Sequence, residues 1–320
     1  MTTSLPTPPD ATASAVERMT WCVSVARFAP SKHNAQPWRF FVYDDGVVEL
    51  YADATRSLPA SDPDDRELTI GNGAALHTFA LALRGLGVRP SVAFLPDGPD
   101  GPLARVEEAG AYDPTADDLA LLSAVPVRRT NRGPLDATLM PAGTPAALQR
   151  AAEREGALLQ LLVAPGAQDA LDALVAGVDE SAYAQELATW LRAPGSPASD
   201  GVPVRAGGVY GARFAPRAFG DPSPERVDDR PLPAVLWTAG DTQVDWLRAG
   251  MALQAVLLRA TVEGAAASFV NQPLEHPATR AALRREIGYA GFPQLVLRVG
   301  TGAAVAATPR RPLAELIRTA

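Results

Sequence analysis

Sulfur and histidine are scarce in this chain, and their scarcity narrows its chemistry. A single cysteine, Cys22, stands among 320 residues. No intrachain disulfide can form, and the chain fits a reducing compartment such as the cytoplasm. Cys22 follows Trp21 in an apolar helical stretch and reads as a small buried hydrophobe rather than a reactive thiol. The three histidines, His33, His77 and His276, lie far apart, with no cysteine partner and no His-x₃-His spacing, which speaks against a structural metal. Basic charge is also short. Lys and Arg total 29 against 36 Asp and Glu, a net charge of −7, the wrong sign for a nucleic-acid surface. No apolar run reaches bilayer length, and the most apolar helical stretch, 246–270, is broken by Arg248, Arg259 and Glu263. Residues 1–14 lack the basic start and apolar core of a signal peptide. Their Thr, Pro and Ser content reads as a flexible arm over 1–15. No Gly-x-Ser-x-Gly elbow appears, so a hydrolase nucleophile has no support. Gly71-Asn-Gly-Ala-Ala-Leu76 only approaches Gly-x-Gly-x-x-Gly, and the strand that should precede it is missing.

What is present begins with hydrophobic residues at 47%, enough for a sizeable core. The most informative segment is Ala29-Pro-Ser-Lys-His-Asn-Ala-Gln-Pro-Trp38, which feeds the strand-like run Arg39-Phe-Phe-Val-Tyr43. Pro30 and Pro37 bracket an irregular loop, because proline fixes φ and donates no N–H. Ser31, Asn34 and Gln36 supply polar groups that suit a planar ring rich in donors and acceptors. A loop at the end of a rigid strand is where a cofactor's polar edge is usually read.

A second signal is internal repetition. Gly73, Ala75, Leu76, Leu81 and Gly87 align without a gap onto Gly250, Ala252, Leu253, Leu258 and Gly264, and Ser91 then falls on Ser268. Each copy is apolar nearly all round and ends at a glycine suited to a left-handed cap, which predicts two buried central helices. Val88–Leu95 is a strand candidate after the first copy. Phe292–Gly300 is the clearest strand after the second, beyond a polar turn. Residues 145–155 predict a helix running straight into a strand over 158–163.

The Pro30–Trp38 segment resembles the Pro-Ser-x-x-Asn-x-Gln-Pro-Trp loop of the nitroreductase family of FMN-dependent flavoproteins. Val125-Pro-Val-Arg-Arg-Thr-Asn-Arg-Gly-Pro-Leu135 is similar to that family's Arg-Arg-Ser-x-Arg motif, with Thr130 at the Ser position. The resemblance implies an α+β, nitroreductase-like fold, here as a tandem duplication within one chain that mimics the family homodimer. The halves would be 16–117 and 118–320. The first half carries the loop and the second carries the Arg motif, so the two pieces make one site and bind one FMN. The resemblance places Ser31, Asn34 and Gln36 on the rim of the isoalloxazine ring. Arg128, Arg129, Thr130 and Arg132 fall at the phosphate, joined by Arg310 and Arg311 from Thr308-Pro-Arg-Arg-Pro312. Lys32, Arg132 or Arg89 could supply the cation that stabilises the reduced ring. Val88-Arg-Pro-Ser91 puts Arg89 and Pro90 where the family brings backbone toward the ring.

An insertion at about 192–232, between Leu191 and Pro233, reads as a lid or a mobile segment, with Tyr210, Phe214 and Phe219 available to cover a ring face. Fused repeats, one site and a long insertion resemble the actinobacterial Acg-like branch. Its other matching segments are Trp246-Leu-Arg-Ala-Gly250 and Ser268-Phe-Val-Asn-Gln-Pro-Leu-Glu275.

Two functions follow. One is an FMN-dependent oxidoreductase passing hydride from NAD(P)H to a nitroaromatic, quinone or similar acceptor. The other is a non-enzymatic protein storing FMN under a closed lid. In either case the flavin carries the chemistry, no side chain need act as acid or base, and the fused chain is expected to be a cytoplasmic monomer.

Overall fold

The computed structural model describes residues 4–177, 181–204 and 206–319. In chain order its elements are α1 (Ala15–Ala26), β1 (Trp38–Val42), β2 (Val48–Ala52), α2 (Arg66–Gly85), β3 (Val88–Phe94), β4 (Ala104–Ala111) and α3 (Ala116–Ala124). There follow α4 (Thr144–Arg154), β5 (Leu158–Leu161), α5 (Pro165–Ala176), α6 (Ser181–Trp190), β6 (Leu191–Arg192), β7 (Val202–Pro203), β8 (Val209–Gly211) and β9 (Glu225–Val227). The chain ends through β10 (Leu232–Thr238), α7 (Gln243–Val262), β11 (Ala266–Phe269), α8 (Pro277–Ile287), β12 (Phe292–Gly300), α9 (Leu313–Leu316) and β13 (Ile317–Thr319). This is an α+β fold.

The repeat seen in the sequence is a repeat of topology. In the first half the strands run in the order β1-β2-β4-β3, with α2 between β2 and β3. In the second half the order is β5-β10-β12-β11, with α7 between β10 and β11. Both are first-second-fourth-third, and every pair within each set of four is antiparallel. The aligned serines fall on equivalent strands, Ser91 on β3 and Ser268 on β11. β11 is a strand where the sequence pattern suggested only a polar turn. It is short, and alanine at two of its four positions gives little β signal.

The helices α2 and α7 pack against each other at the centre of the molecule. Their contact is symmetric in its details. A Cβ at Gly73 would fall on the Leu247 carbonyl, and one at Gly250 would fall on the Ile70 carbonyl. Ile70 and Leu247 are themselves equivalent positions in the repeat. Glycine is required here by close backbone approach between helices, not by backbone conformation. Gly87 and Gly264, just beyond each helix, both take positive φ, 80° and 73°.

Each central helix is fixed at its start. Asp62 accepts the Glu67 and Leu68 N–H groups at the head of α2 (2.9 and 2.8 Å). Thr242 and Asp245 form a reciprocal capping box on α7. The near-fingerprint Gly71–Leu76 lies inside α2 and is helical throughout.

The last strand of the chain ties the halves together. β13 pairs in parallel with β1, Phe40 opposite Ile317, so the C-terminus crosses back onto the first half's sheet. Thr130 bridges to Ala267 of β11. The N-terminal arm, from Leu5 onward, lies against the first half, where Leu5 packs on the core and Trp21 Nε1 donates to Pro6 O. Cys22 is fully buried in α1, and burial raises its thiol pKa well above the ordinary value. Among the described residues no helix is long and apolar enough to cross a membrane, and no group of three or more His, Cys, Asp or Glu is placed to hold a metal.

Candidate cofactor site

A cavity of about 1090 Å³, its open mouth included, lies where the two halves meet. The α1–β1 loop lines it with Pro30 to Asn34, and α2 adds Glu67, Ile70 and Gly71. The segment before α4 brings Arg128, Arg129, Thr130 and Arg132. α7 supplies Leu253, the stretch after β11 supplies Asn271, Gln272 and Glu275, and the tail supplies Thr308 and Arg310. The structure therefore brings Ser31, Lys32, Asn34, Arg128, Arg129, Thr130, Arg132 and Arg310 together on one cavity, from both halves.

One end is strongly cationic. Arg128 is buried at 4% exposure, and its Nε and Nη1 have no hydrogen-bond partner. Arg310 Nε is likewise buried without a partner, although its Nη1 donates to Thr308 Oγ1 (2.6 Å) and its Nη2 to Phe28 O (3.1 Å). Burial, then the neighbouring Arg128, Arg129 and Arg27, lower Arg310 to about 9. Burial and Arg129 lower Arg128 to about 10. Arg129 Nη1 donates to the Pro126 and Arg128 carbonyls. Buried, unpaired guanidinium donors repelling one another are costly. A bound anion would relieve both costs, and a phosphate dianion fits these planar forks.

The other end is charge-balanced. Lys32 is the chain's only lysine. Its Nζ meets Ser61 O at 2.8 Å, Glu275 Oε1 at 3.0 Å and Glu67 Oε1 at 3.3 Å. An ammonium has three donors, and three acceptors use them all. Lys32 thus has no donor left for a ring. Arg217 forms a two-pronged pair with Glu275 (2.8 and 2.7 Å). Burial alone would raise Glu275, but Lys32 and Arg217 outweigh it and hold it near 2. Asp62, outside this cavity, is raised to about 6 by burial and by the Glu67 carboxylate.

His33 also lines the cavity, in left-handed backbone (φ 50°). Asn34 and Gln36 share that conformation, at 56° and 54°, so this loop stores strain that its neighbours must hold. The His33 ring meets Tyr183 and Phe219 edge-on, at 5.4 and 5.8 Å between centroids. Burial first, and then the Lys32 charge, lower it to about 3, so it is neutral at physiological pH.

Four expected ring or phosphate residues lie off the cavity. Gln36 is fully buried and ties three chain segments together. Its Nε2 donates to Ser199 O (2.9 Å), and its Oε1 accepts from Arg311 N (2.8 Å). Arg311 turns away, pairing with Glu315 (3.2 Å) and Asp53 (3.7 Å). Arg89 and Pro90 sit on β3, whose pairing with β4 carries them along the far strand of the first sheet. Asn34 lines the cavity, but its side chain is engaged. Its Nδ2 donates to Gly201 O and Pro309 O (both 3.1 Å), and its Oδ1 accepts from Arg310 Nη1 (3.0 Å).

The insertion is built rather than loose. Two small parallel pairs, β6 with β7 and β8 with β9, organise it. Asp229 anchors it by pairing with the fully buried Arg298 of β12 and by accepting the Leu135 and Arg213 N–H groups. Of its three aromatics, only Phe219 reaches the cavity, with the Arg132 guanidinium 4.0 Å from its ring centroid. Phe214 is buried in a hydrophobic cluster with Leu171 and Trp237. Tyr210 bonds Ala218 O.

Glu67, Arg217, Asn271 and Glu275 line the cavity too, beyond the residues expected from the sequence. The last two lie in the matching segment Ser268–Glu275, which was the available signal. Glu67 and Arg217 had none.

No protein-family profile matches the chain. "Putative NAD(P)H nitroreductase Rv3131" of Mycobacterium tuberculosis is 35% identical over 313 residues, covering 92% of this chain and 89% of that protein. "Putative NAD(P)H nitroreductase acg" of the same organism is 31% identical over 317 residues, covering 92% and 93%. Among solved structures, a nitroreductase with bound FMN from Desulfitobacterium hafniense DCB-2 is 16% identical and covers 60% of this chain and 94% of that one, at a TM-score of 0.37. A nitroreductase-like protein from Bacillus cereus is 15% identical, covering 61% and 92%, at 0.38. The identity of the sequence relatives over nearly the whole chain decides the matter: this protein belongs to the nitroreductase family, in the branch that includes acg.

Proposed function

We propose that the cavity holds one FMN and that the chain is an FMN-dependent oxidoreductase, drawing electrons from NAD(P)H and passing them to a nitroaromatic, quinone or similar acceptor. The observation that carries this reading is the pair of buried arginines, Arg128 and Arg310, each with a buried donor that lacks a partner (Nε and Nη1 of Arg128, Nε of Arg310), at one end of a two-sided cavity. In this reading Arg128, Arg129 and Arg310 hold the phosphate, with Thr130 beside them. Arg132 supplies positive charge at the ring, and Ser31 and Asn34 bound the ring's cavity. FMN, when bound, supplies a ring that accepts and returns hydride. The chain's own part is to bind it, orient it and exclude water from its face.

Phe219 and Arg217 stand over that cavity from the insertion and would have to yield to a stacked nicotinamide. Because both halves of the site lie in one chain, a monomer suffices.

The test is anaerobic addition of NADH or NADPH to the FMN-loaded protein, followed at the oxidised flavin band. Bleaching supports the enzyme. Persistent colour with both nicotinamides contradicts it and favours storage. A variant with 194–231 replaced by a brief Gly-Ser connection then asks whether the insertion was the barrier.

A further inference from the structure

A second cavity, about 1060 Å³ with its open mouth included, lies against the insertion. Arg217, Phe219 and Gln272 line both it and the cofactor cavity, so these three side chains form a shared wall. Arg217 is held there by its two-pronged pair with Glu275 and by the Tyr183 ring, whose centroid is 3.6 Å from the guanidinium. Gln272 donates to Ala215 O (3.2 Å). Phe219 is held differently. It sits in left-handed backbone (φ 47°), followed by Gly220 at 74°. That conformation is unfavourable for a bulky residue, and such strain persists at positions where the surroundings enforce it, often at ligand sites.

The far side of the wall is apolar. Val175 and Ala176 come from α5, Leu187 from α6, and Ala212, Ala215 and Ala218 from the insertion. The charged groups that line this chamber are engaged. Asp172 accepts the Phe214 N–H (3.0 Å) and pairs with Arg213 (3.1 Å). Arg226 donates to the Gly211 and Pro216 carbonyls (3.1 and 3.0 Å). With its arginines already committed, the chamber suits hydrocarbon and not the phosphates of a nucleotide.

We propose that this chamber binds the apolar tail of the electron acceptor, an alkylated quinone whose ring crosses the Phe219 wall to the flavin side. Two cavities parted by three side chains fit a ligand of two parts, a reactive ring and a hydrocarbon chain. The inference rests on the oxidoreductase reading and deepens it by naming the acceptor and the residues that select it. The quinone takes a hydride from reduced flavin and a proton from water and leaves as the hydroquinone, and the flavin returns to its oxidised form. Ala176 and Leu187 set the preference for the chain, and Phe219 sets where chain gives way to ring.

The test uses the oxidative half of the reaction, so it does not depend on a nicotinamide. FMN-loaded protein would be bleached anaerobically with dithionite, without excess, and mixed with a methylated benzoquinone that either carries or lacks a decyl chain. Stopped-flow absorbance at the oxidised flavin band gives the half-saturating concentration of each quinone. In wild type the decyl quinone should saturate at a concentration lower by about tenfold or more, the worth of burying about two methylenes. Ala176→Trp, which fills the chamber from α5, and Leu187→Glu, which places a charge in it from α6, should each collapse that ratio toward equality. Thermal melts and flavin spectra would confirm that the variants fold and hold FMN. The proposal is overturned if the two quinones saturate alike in wild type, or if either folded variant keeps the wild-type ratio, which would mean that the chain binds elsewhere. Both results leave the oxidoreductase reading standing, because quinone still reoxidises the flavin. If neither quinone reoxidises the reduced protein, the quinone acceptor and this proposal fall together, while bleaching by NADH or NADPH reports on the oxidoreductase reading separately.

Discussion

The two halves share a framework and differ in their connections. In the first half, α1 passes to β1 through residues 27–37, long enough for the strained Ser31–Gln36 loop. In the second half, α4 passes to β5 through 155–157 alone, too short to form such a loop. There Glu155 instead reaches back to His77 of α2, with His77 Nε2 3.5 Å from its carboxylate. The reverse holds between the first two strands of each half. β1 and β2 are joined by a tight turn, whereas β5 and β10 are separated by 162–231, which carries α5, α6 and the insertion. Duplication preserved what packs, and divergence acted on what connects. The cavity is asymmetric as a consequence, since loop, Arg motif and insertion each occur once.

That comparison can be broken most severely at its axis. Gly250→Val would push a side chain into the Ile70 carbonyl, where no flexible atom can give way. Overpacking usually costs about 1–3 kcal/mol, and backbone against backbone puts this variant at or beyond the upper end. Chemical denaturation should show it, or soluble expression should fail. Gly73→Val should behave alike, because the two sites are equivalent.

The insertion is the next point of attack. Asp229→Asn leaves Arg298 charged and fully buried, a change worth about 3–5 kcal/mol when a buried pair loses one member. Protease cleavage within 192–232 should accelerate in the variant. Unchanged cleavage would mean that the insertion is held by other contacts.

A smaller effect is expected from Lys32→Arg. The substitution keeps the charge, but a planar fork cannot meet three acceptors grouped around one ammonium. One or more of Ser61 O, Glu67 and Glu275 then loses its partner, at a cost of about 1–3 kcal/mol. A melt showing full wild-type stability would contradict the account of this end of the cavity.

The mildest test uses pH. His33 is lowered to about 3 in the fold from an ordinary 6.5. A depressed histidine contributes stability that is complete above its unfolded pKa and is lost as pH falls toward the folded value. Wild type should therefore lose about 2 kcal/mol between pH 6.5 and 5 from this group. Glu275, held near 2, contributes in the same direction only below about 4.5. Asp62, raised to about 6, works the opposite way, its penalty easing as pH falls through 6. Comparing wild type with His33→Asn across that window isolates the histidine. Parallel pH profiles would show that His33 is not held neutral.

Much of this was legible in residues. The repeat was visible because Gly73 and Gly250 face each other and tolerate nothing larger, so their spacing registers the axis. The loop and the Arg128–Arg132 segment were legible as motifs, and both line the cavity. Gln36 and Arg311 were misplaced because a loop's polar side chains serve equally well to bind other segments, and theirs join the loop to the insertion and the tail. Arg89 and Pro90 could not be placed without the β3–β4 register. Arg217 and Phe219 lie in a region with no repeat counterpart, where position depends on the Asp229–Arg298 anchor and not on any local pattern.

The central claim is that both halves build one flavin-phosphate site per chain. Titrating apo-protein calorimetrically with FMN tests it most directly, with Arg128→Gln as the partner measurement. The account predicts one FMN bound per chain and a loss of about 2–5 kcal/mol in the variant, the usual effect of removing a buried charged donor. Two equivalent sites per chain, or an Arg128→Gln protein that binds FMN as tightly as wild type, would contradict it.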